Sequence, residues 1–246
     1  MKILAVDTAA NTCSVAVADS RFLHGGSGLY LSPGKEAGIL TEISSVTRQT
    51  HSKHLMGMIR LVLEMAGMTI SDVQGFAVAK GPGSFTGLRI GISTIKGLAA
   101  ASGKPAAGVS NLDALAFQFP FSPYPICTLL DARKGEVYSS FYRFENGNLK
   151  KEGKDRVISP GTLVSEIREP CLFAGNGALL YRKTIQEKMG GNAYFAPACH
   201  NVIRASSVAR LSLDQFEKND TDGIAAFEPH YIRKSDAELG FGKKKQ

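Results

Sequence analysis

The sequence predicts an α/β protein of two similar lobes, because one pattern occurs twice along the chain. Each time an apolar run ends in an aspartate: residues 3–6 precede Asp7, and residues 126–130 precede Asp131. Such a run is typical of a strand buried on both faces. A short turn and a second strand follow each aspartate, and helices then alternate with strands. The two copies are about 124 residues apart, which predicts lobes over residues 1–120 and 121–246.

The order of elements in the first half follows from apolar periodicity and from glycine and proline stops. Strands over 13–18 and 37–45 flank a connection rich in glycine, serine and proline. The following pattern predicts a helix over 51–67, a strand over 75–79, a helix over 86–102, a strand over 106–109 and a short helix over 111–119.

The second half repeats this order. A strand over 137–144 leads through the turn Asn146-Gly147 into a further strand. The periodicity then predicts a helix over 162–168, a strand over 172–174 and helices over 178–189 and 206–218. The two halves share too little sequence identity to establish duplication from the sequence alone.

The composition is that of a globular protein, with 43% hydrophobic and 21% charged residues among 246. A chain this apolar can bury a core, so disorder is excluded as its main state. No stretch reaches the roughly 18 apolar residues of a membrane span. The N-terminal apolar run meets Asp7 too early for a signal peptide, so we expect no membrane association and a cytoplasmic location.

Metal-ligating residues are too scattered to predict a metal site. The four cysteines contain no Cys-x-x-Cys pair and are expected to be reduced core residues. His51 and His54 lack the i, i+4 spacing and the glutamate of a zinc protease.

The chain carries a formal net charge of +7, part of it in the tail at residues 243–245. A second basic run comprises Lys150, Lys151, Lys154 and Arg156, without interleaved aromatic residues. Both runs favour a solvated, mildly basic surface over a nucleic-acid site.

The two aspartates support two interpretations. A strand tipped with aspartate and followed by a tight turn can serve phosphate chemistry, with the carboxylate holding a cation or water. Each aspartate could equally cap its own turn. The candidate residues for a nucleotide cleft are Asp7, Thr8, Asp131, Arg133, Gly135 and Glu136.

A glycine-rich loop links the strand at 75–79 to the helix at 86–102. It lacks the lysine and the spacing of a P-loop, and Thr86 stands where a dinucleotide-binding loop has its third glycine. Its amides could hold an anion at the helix N-terminus, or the loop could be a packing elbow. The loop residues singled out are Gly81, Pro82, Gly83, Ser84, Phe85, Thr86, Gly87 and Arg89.

The two helices around this loop are more apolar than one core requires. Apolar residues of the helix at 51–67 cover an arc of about 220°, although roughly 100° suffices for one core face. The helix at 86–102 adds a face of small residues on which another helix could approach closely. A neighbouring helix of the same chain could also cover these faces. The candidate interface residues are Leu55, Met58, Ile59, Val62, Gly87, Gly91, Thr94 and Leu98.

Four segments resemble the TsaB (YeaZ) family of bacterial tRNA threonylcarbamoyladenosine biosynthesis proteins. The most specific is K-G-P-G-S-F-T-G-L-R-I-G-I-S-T-I-K-G-L at 80–98; residues 4–16, 130–138 and 228–233 agree with the family in the same order. The resemblance spans nearly the full chain. The stretch 21–45 looks longer than is usual in the family.

The resemblance implies an actin-like ATPase fold (the acetate-kinase, sugar-kinase and heat-shock-protein class) of two ribonuclease-H-like lobes. It further implies a scaffold that pairs with the catalytic paralogue TsaD, together with the ATPase TsaE. In that system threonylcarbamoyl is transferred to N6 of adenosine 37 of tRNAs that read codons beginning with A. We then expect a homodimer when the chain is alone, formed through the same two helices, and tRNA reached only through the complex. No tightly bound cofactor is expected, and ATP or ADP with magnesium would bind weakly, in the complex.

One comparison separates a scaffold from an enzyme. The catalytic paralogue carries two histidine metal ligands at i, i+4 on the helix that follows this part of the sheet. The corresponding positions here are Asn111 and Leu115. Leucine cannot bind a metal, so we expect no transferase activity from this chain alone. The alternatives are a small ATP-dependent phosphotransferase or ATPase using Asp7 and Asp131, and, with less support, a metallopeptidase.

Overall fold

The computed structural model describes residues 1–21, 38–46, 51–221, 223 and 227–233. Most of the long connection noted between 21 and 45, and the basic tail at 243–245, lie outside these ranges. Within the described residues no helix combines the length and apolar character that crossing a membrane requires.

The first half of the chain forms a five-stranded mixed sheet. Its strands are β1 (Lys2–Asp7), β2 (Thr12–Asp19), β3 (Gly38–Val46), β4 (Gly75–Gly81) and β5 (Ala106–Ser110), in the order β3-β2-β1-β4-β5. The pairs β1–β2 and β2–β3 are antiparallel, whereas β1–β4 and β4–β5 are parallel. The central strand β1 is buried on both faces from residue 3 onward, as its continuous apolar run predicts.

The second half repeats this topology. Its strands are β6 (Ile126–Arg133), β7 (Glu136–Glu145), β8 (Asn148–Lys151), β9 (Arg156–Ile158), β10 (Cys171–Ala174) and β11 (Ala193–Phe195). The order is β11-β10-β6-β7-β8, and β9 pairs with β7 on the same side as β8. β6 is antiparallel to β7 and parallel to β10, as β1 is to β2 and β4. The predicted repetition is therefore confirmed at the level of strand order.

The described residues contain seven α-helices: α1 (Leu55–Met65), α2 (Phe85–Ser102), α3 (Asn111–Ala116), α4 (Pro160–Glu166), α5 (Asn176–Leu180), α6 (Arg182–Met189) and α7 (Ala205–Glu217). The predicted helix at 51–67 is a short 3-10 turn followed by α1. The predicted helix at 178–189 is two helices, because α5 packs on β6 whereas α6 turns away to pack on α4.

Three apolar cores hold these layers together. One face of the first sheet is covered by α1 and α2, and the outer face of the second sheet by α4, α5 and α6. The third core lies between the two halves and contains Leu115, Tyr142 and Leu213. α7 follows the second sheet in sequence but packs on the first. The division at residue 120 remains a prediction.

Candidate nucleotide cleft and partner surface

Asp7 ends β1 and is fully buried. Its Oδ1 accepts a hydrogen bond from the Ala9 N–H at 3.0 Å, while its Oδ2 has no hydrogen-bond partner among the described residues. Burial raises the pKa of this carboxyl to about 7, against the lowering effect of the backbone donors of Ala9 and Thr8. The group is therefore an acid that titrates near neutral pH and has one open acceptor.

Asp131 occupies the corresponding place in the second half, in a different environment. Its Oδ1 accepts the Arg133 N–H at 2.9 Å, and its own N–H donates to Asn176 Oδ1 at 3.0 Å. The turn that follows has positive φ at Arg133, Lys134 and Gly135. Both aspartates thus accept from the amide two residues later, as turn-capping residues do. Only Asp7 keeps a buried oxygen without a partner.

Two further predicted cleft residues, Thr8 and Glu136, bind other elements, whereas Arg133 pairs with Asp131 at 3.4 Å. Thr8 Oγ1 donates to the Gly87 carbonyl of α2 at 2.7 Å. Glu136 Oε2 accepts from Arg233 at 2.8 Å. In the described part of the chain, no hydrogen bond or ion pair joins the Asp7 group to the Asp131 group. The structure brings Thr8 to the loop before α2, and Glu136 to the C-terminal segment.

Three backbone amides of the glycine-rich loop donate hydrogen bonds to acceptors within the chain. The Gly81 N–H donates to Asn111 Oδ1 at 2.8 Å, and the Ser84 N–H donates to the Ala9 carbonyl at 2.7 Å. The Gly87 N–H donates to Ser84 Oγ at 3.3 Å, so Ser84 is the N-cap of α2. Because these three amides have partners, the geometry favours the packing elbow over an anion cradle.

Sequence reasoning missed an asparagine that supports this loop and a counterpart in the second half. Asn111 Oδ1 accepts from Gly81 after β4, and Asn201 Oδ1 accepts from Gly175 after β10, both at 2.8 Å. The Nδ2 of Asn201 donates to two carbonyls, whereas the Nδ2 of Asn111 has no acceptor among the described residues. The sequence feature that could have indicated this role is an asparagine that follows the last parallel strand of each half.

The two positions on α3 at which the family resemblance suggests a comparison with metal ligands have structural roles here. Asn111 binds the loop, and Leu115 is fully buried in the core between the two halves. The described residues contain no group of three or more histidine, cysteine or acidic side chains that could hold a metal ion.

The predicted interface residues on α1 lie on the side of the helix that faces the first sheet. Leu55, Ile59 and Val62 are at most 2% exposed, and Met58 is also buried, because this side of α1 packs on the first sheet. The exposed part of the apolar arc consists of Met56, Leu61 and Met65, which are 54%, 45% and 64% exposed.

The small-residue face of α2 also needs correction. Gly87 and Gly91 are buried against Thr8, where an added Cβ on Gly91 would lie 2.5 Å from Thr8 Oγ1. These glycines therefore allow α2 to approach β1 rather than another protein. Thr94 and Leu98 are half-buried. The exposed residues that continue this face are Ser93, Gly97, Ala100 and Ala101.

A segment at 227–233 lies along α2 and reaches the second half. Phe227 is buried in the core under α2, and the His230 N–H donates to the Lys80 carbonyl at 2.7 Å. Tyr231 stacks on Phe85, and Arg233 reaches Glu136. In the sequence this segment is recognisable only by its resemblance to the family, and its contacts with α2 and Glu136 are not predicted.

Comparisons with known proteins agree with this architecture. A family model described as TsaD, tRNA N6-adenosine threonylcarbamoyltransferase, matches residues 35–241. The tRNA threonylcarbamoyladenosine biosynthesis protein TsaB of Escherichia coli (strain K12) is 32% identical over 95% of each chain. The chain belongs to the TsaB family.

Other TsaB relatives extend the match. The protein of that name from Bacillus subtilis (strain 168) is 29% identical over 97% of this chain and 96% of its own. The solved structure of YeaZ from Pseudomonas aeruginosa superimposes with a TM-score of 0.74 at 26% identity, covering 94% of this chain and 99% of that one. The chain therefore has the two-sheet α/β fold of YeaZ, which the sequence resemblance assigns to the actin-like ATPase class, and it takes part in tRNA threonylcarbamoyladenosine biosynthesis.

Proposed function

We propose that this chain is a non-catalytic subunit that pairs with the transferase TsaD, together with TsaE. The complex would transfer threonylcarbamoyl to N6 of adenosine 37 of tRNAs that read codons beginning with A. The observation that carries this proposal is the environment of α3. Leu115 fills the core between the lobes, and Asn111 holds the Gly81 amide, so neither position offers a metal ligand.

The exposed apolar side of α1 supports pairing. Leu61 and Met65 lie one turn apart on the same side of α1 and are 45% and 64% exposed, whereas Met56 lies on the other flank of the buried stripe. Methionine adapts its shape to different apolar partners, which suits a surface that binds both a second copy and TsaD. Both partners would use this surface together with the small exposed residues of α2, so homodimer formation would compete with the complex.

We propose that the cleft holds no tight cofactor in the free chain. The Asp7 carboxyl is fully buried and its Oδ1 already accepts the Ala9 N–H, so only Oδ2 is left to bind a cation. The engaged amides of the Gly81–Gly87 loop leave fewer donors for phosphate oxygens. ATP or ADP with magnesium would then bind weakly, and only in the complex.

Reconstitution tests the proposal directly. Threonylcarbamoyladenosine is measured on an unmodified tRNA transcript with TsaC, TsaD and TsaE, with and without this chain, and with this chain alone. We expect product only when the chain is combined with TsaD. Product without TsaD would make the chain itself the transferase. No contribution in any mixture, combined with ATP hydrolysis that Asp131→Ala abolishes, would favour the phosphotransferase alternative.

The pairing surface is tested with Leu61→Glu and Met65→Glu. A charge on the exposed side of α1 is expected to weaken both homodimer formation and binding of TsaD by at least about tenfold. The matched control is Leu180→Glu, because Leu180 is 60% exposed but lies on α5 of the other lobe. Unchanged pairing of both α1 variants, measured by sedimentation and by co-purification with TsaD, would refute the assignment.

A further inference from the structure

An exposed cluster of aromatic and cationic side chains lies at the start of α2. The rings of Phe85 and Tyr231 stack with centroids 4.9 Å apart and planes 24° apart. The Arg89 guanidinium lies 3.8 Å from the Phe85 centroid, and its Nε donates to the Tyr231 hydroxyl at 3.3 Å. Tyr231 is nevertheless 39% exposed, and Arg89 is exposed. The cluster therefore holds its side chains in place while leaving aromatic and cationic surface open to solvent.

The charge of Arg89 is not neutralised by a carboxylate within the described residues. The basic run noted in the sequence differs in this respect. Lys150 pairs with Glu145 at 3.1 Å, and Lys151 lies between Asp113 and Asp155 at 3.0 and 2.7 Å. The longer cationic run is thus offset by acidic neighbours, whereas the single arginine of the cluster is not.

The segment that carries Tyr231 contains further basic residues and contacts the second lobe. His230 is exposed next to Tyr231, and Arg233 anchors the segment to Glu136. The turn that precedes Glu136 presents Arg133 and Lys134, both exposed. Arg133 pairs with Asp131 at 3.4 Å and Arg233 with Glu136 at 2.8 Å, so the proposal depends on Arg89, for which the described residues provide no carboxylate partner.

We propose that this cluster is a direct contact site for single-stranded RNA, such as the unpaired nucleotides of a tRNA loop. A base would stack on the exposed part of Tyr231, and Arg89 would bind the neighbouring phosphate. Loop bases are recognised by stacking on aromatic rings, and unpaired cations favour a polyanion. RNA is favoured over an acidic protein because the relatives named above act in tRNA modification. This contact goes beyond the expectation that tRNA is reached only through the complex, and it does not depend on pairing with TsaD.

The test measures binding of a fluorescent, unmodified anticodon stem–loop RNA to the full chain by anisotropy. Tyr231→Leu and Arg89→Gln are each expected to weaken binding about five- to twentyfold. Tyr231→Phe keeps the ring and is expected to stay within twofold of the native chain. Arg89→Gln is also expected to lower the slope of log affinity against log salt by about one, as the loss of one phosphate contact does.

The matched control is Arg168→Gln, which removes an exposed arginine between α4 and β10 in the other lobe. Equal weakening by this variant would show that any arginine contributes, and would overturn the assignment. The same conclusion would follow if the native chain did not bind RNA at low salt. It would also follow if binding were lost only when the lysines at 243–245 were replaced by alanine.

A protein partner on this surface would give a different result. Variants at Arg89 and Tyr231 that lose TsaD but bind RNA normally would overturn the proposal. Because Tyr231→Leu could loosen the C-terminal segment, the thermal midpoint of each variant is measured first. If Tyr231→Leu proves unstable, Arg89→Gln alone tests the proposal. If the native chain bound RNA but did not pair with TsaD, only the proposed function would be refuted.

Discussion

The side chain of Leu115, on α3, packs directly against the backbone of Gly175 at the end of β10. A Cβ added to Gly175 would lie 2.8 Å from Leu115 Cδ2 and would also collide with the Leu129 carbonyl. One residue of the first lobe thus meets a glycine of the second in a contact without room for a methyl group. Leu115 therefore joins the two lobes.

Leu115→Ala is expected to lower the free energy of unfolding by about 2–5 kcal/mol, because it leaves a cavity in the core between the lobes. Urea unfolding followed by circular dichroism measures the change. Leu179→Ala is the matched control, since Leu179 is 44% exposed and its loss is expected to cost less than about 0.5 kcal/mol. Equal effects of the two variants would contradict the role assigned to Leu115.

Two glycines of α2 are expected to respond in opposite directions to alanine. Gly87→Ala would drive a methyl group into the Thr8 carbonyl and should cost about 1–3 kcal/mol of stability or more. Gly97 has no atom within 4 Å of its added Cβ, so Gly97→Ala should stabilise the protein by about 0.5–1 kcal/mol. Thermal and urea unfolding of the pair test this directly. A destabilising Gly97→Ala would show that the helix needs flexibility there.

The strands and most helices could be predicted because their signals are local. Central strands such as β1 and β6 are continuous apolar runs. The start of α2 is marked by Ser84, because serine is a common N-cap residue. By contrast, β9 and β11 have three residues each and are mainly half-buried, so they lack a periodic pattern. A pattern of period two needs more residues than these to be visible.

The candidate site was harder to predict because its contacts join distant parts of the chain. The apolar arc of α1 correctly exceeds what one core needs. The sequence does not show, however, which part of the arc faces the sheet. The structure places Ile59 on the sheet side of α1 and Met65 on the exposed side. The Glu136–Arg233 pair spans 97 residues, and no local pattern indicates that these two residues meet.

Glu42 is a further long-range contact with a measurable consequence. It lies on β3, yet its Oε1 accepts from the Ser206 N–H at 3.0 Å and its Oε2 from Arg204 Nε at 3.0 Å. The carboxylate thus caps the N-terminus of α7, where Arg204 provides no side-chain cap. Glu42→Ala is expected to cost about 1–3 kcal/mol. Urea unfolding measures this loss, and faster hydrogen exchange should appear in the first turn of α7. Glu217→Ala, at the exposed end of the same helix, is the control and should leave both unchanged.

Asp7 predicts how stability depends on pH. Its pKa is raised from 3.8 to about 7 by burial, so the folded chain keeps a proton that the unfolded chain releases above about pH 4. The contribution of this group to stability is therefore complete below pH 4, decreases as pH rises and is lost above about pH 7. Asp7→Asn removes this dependence and keeps an acceptor for the Ala9 amide.

Between pH 5 and pH 8 the native chain should therefore lose about 1–3 kcal/mol more than Asp7→Asn, measured by urea unfolding at both pH values. Above pH 7 the variant should be the more stable protein. Cys13→Ala is the control for altered packing beside Asp7, because burial and the nearby Asp7 raise the pKa of the Cys13 thiol to about 11, outside the range tested. Cys13→Ala should then keep the native pH profile. Parallel profiles for the native chain and Asp7→Asn would mean that the buried carboxyl is ionised in the folded protein, and that its Oδ2 binds a partner from solvent.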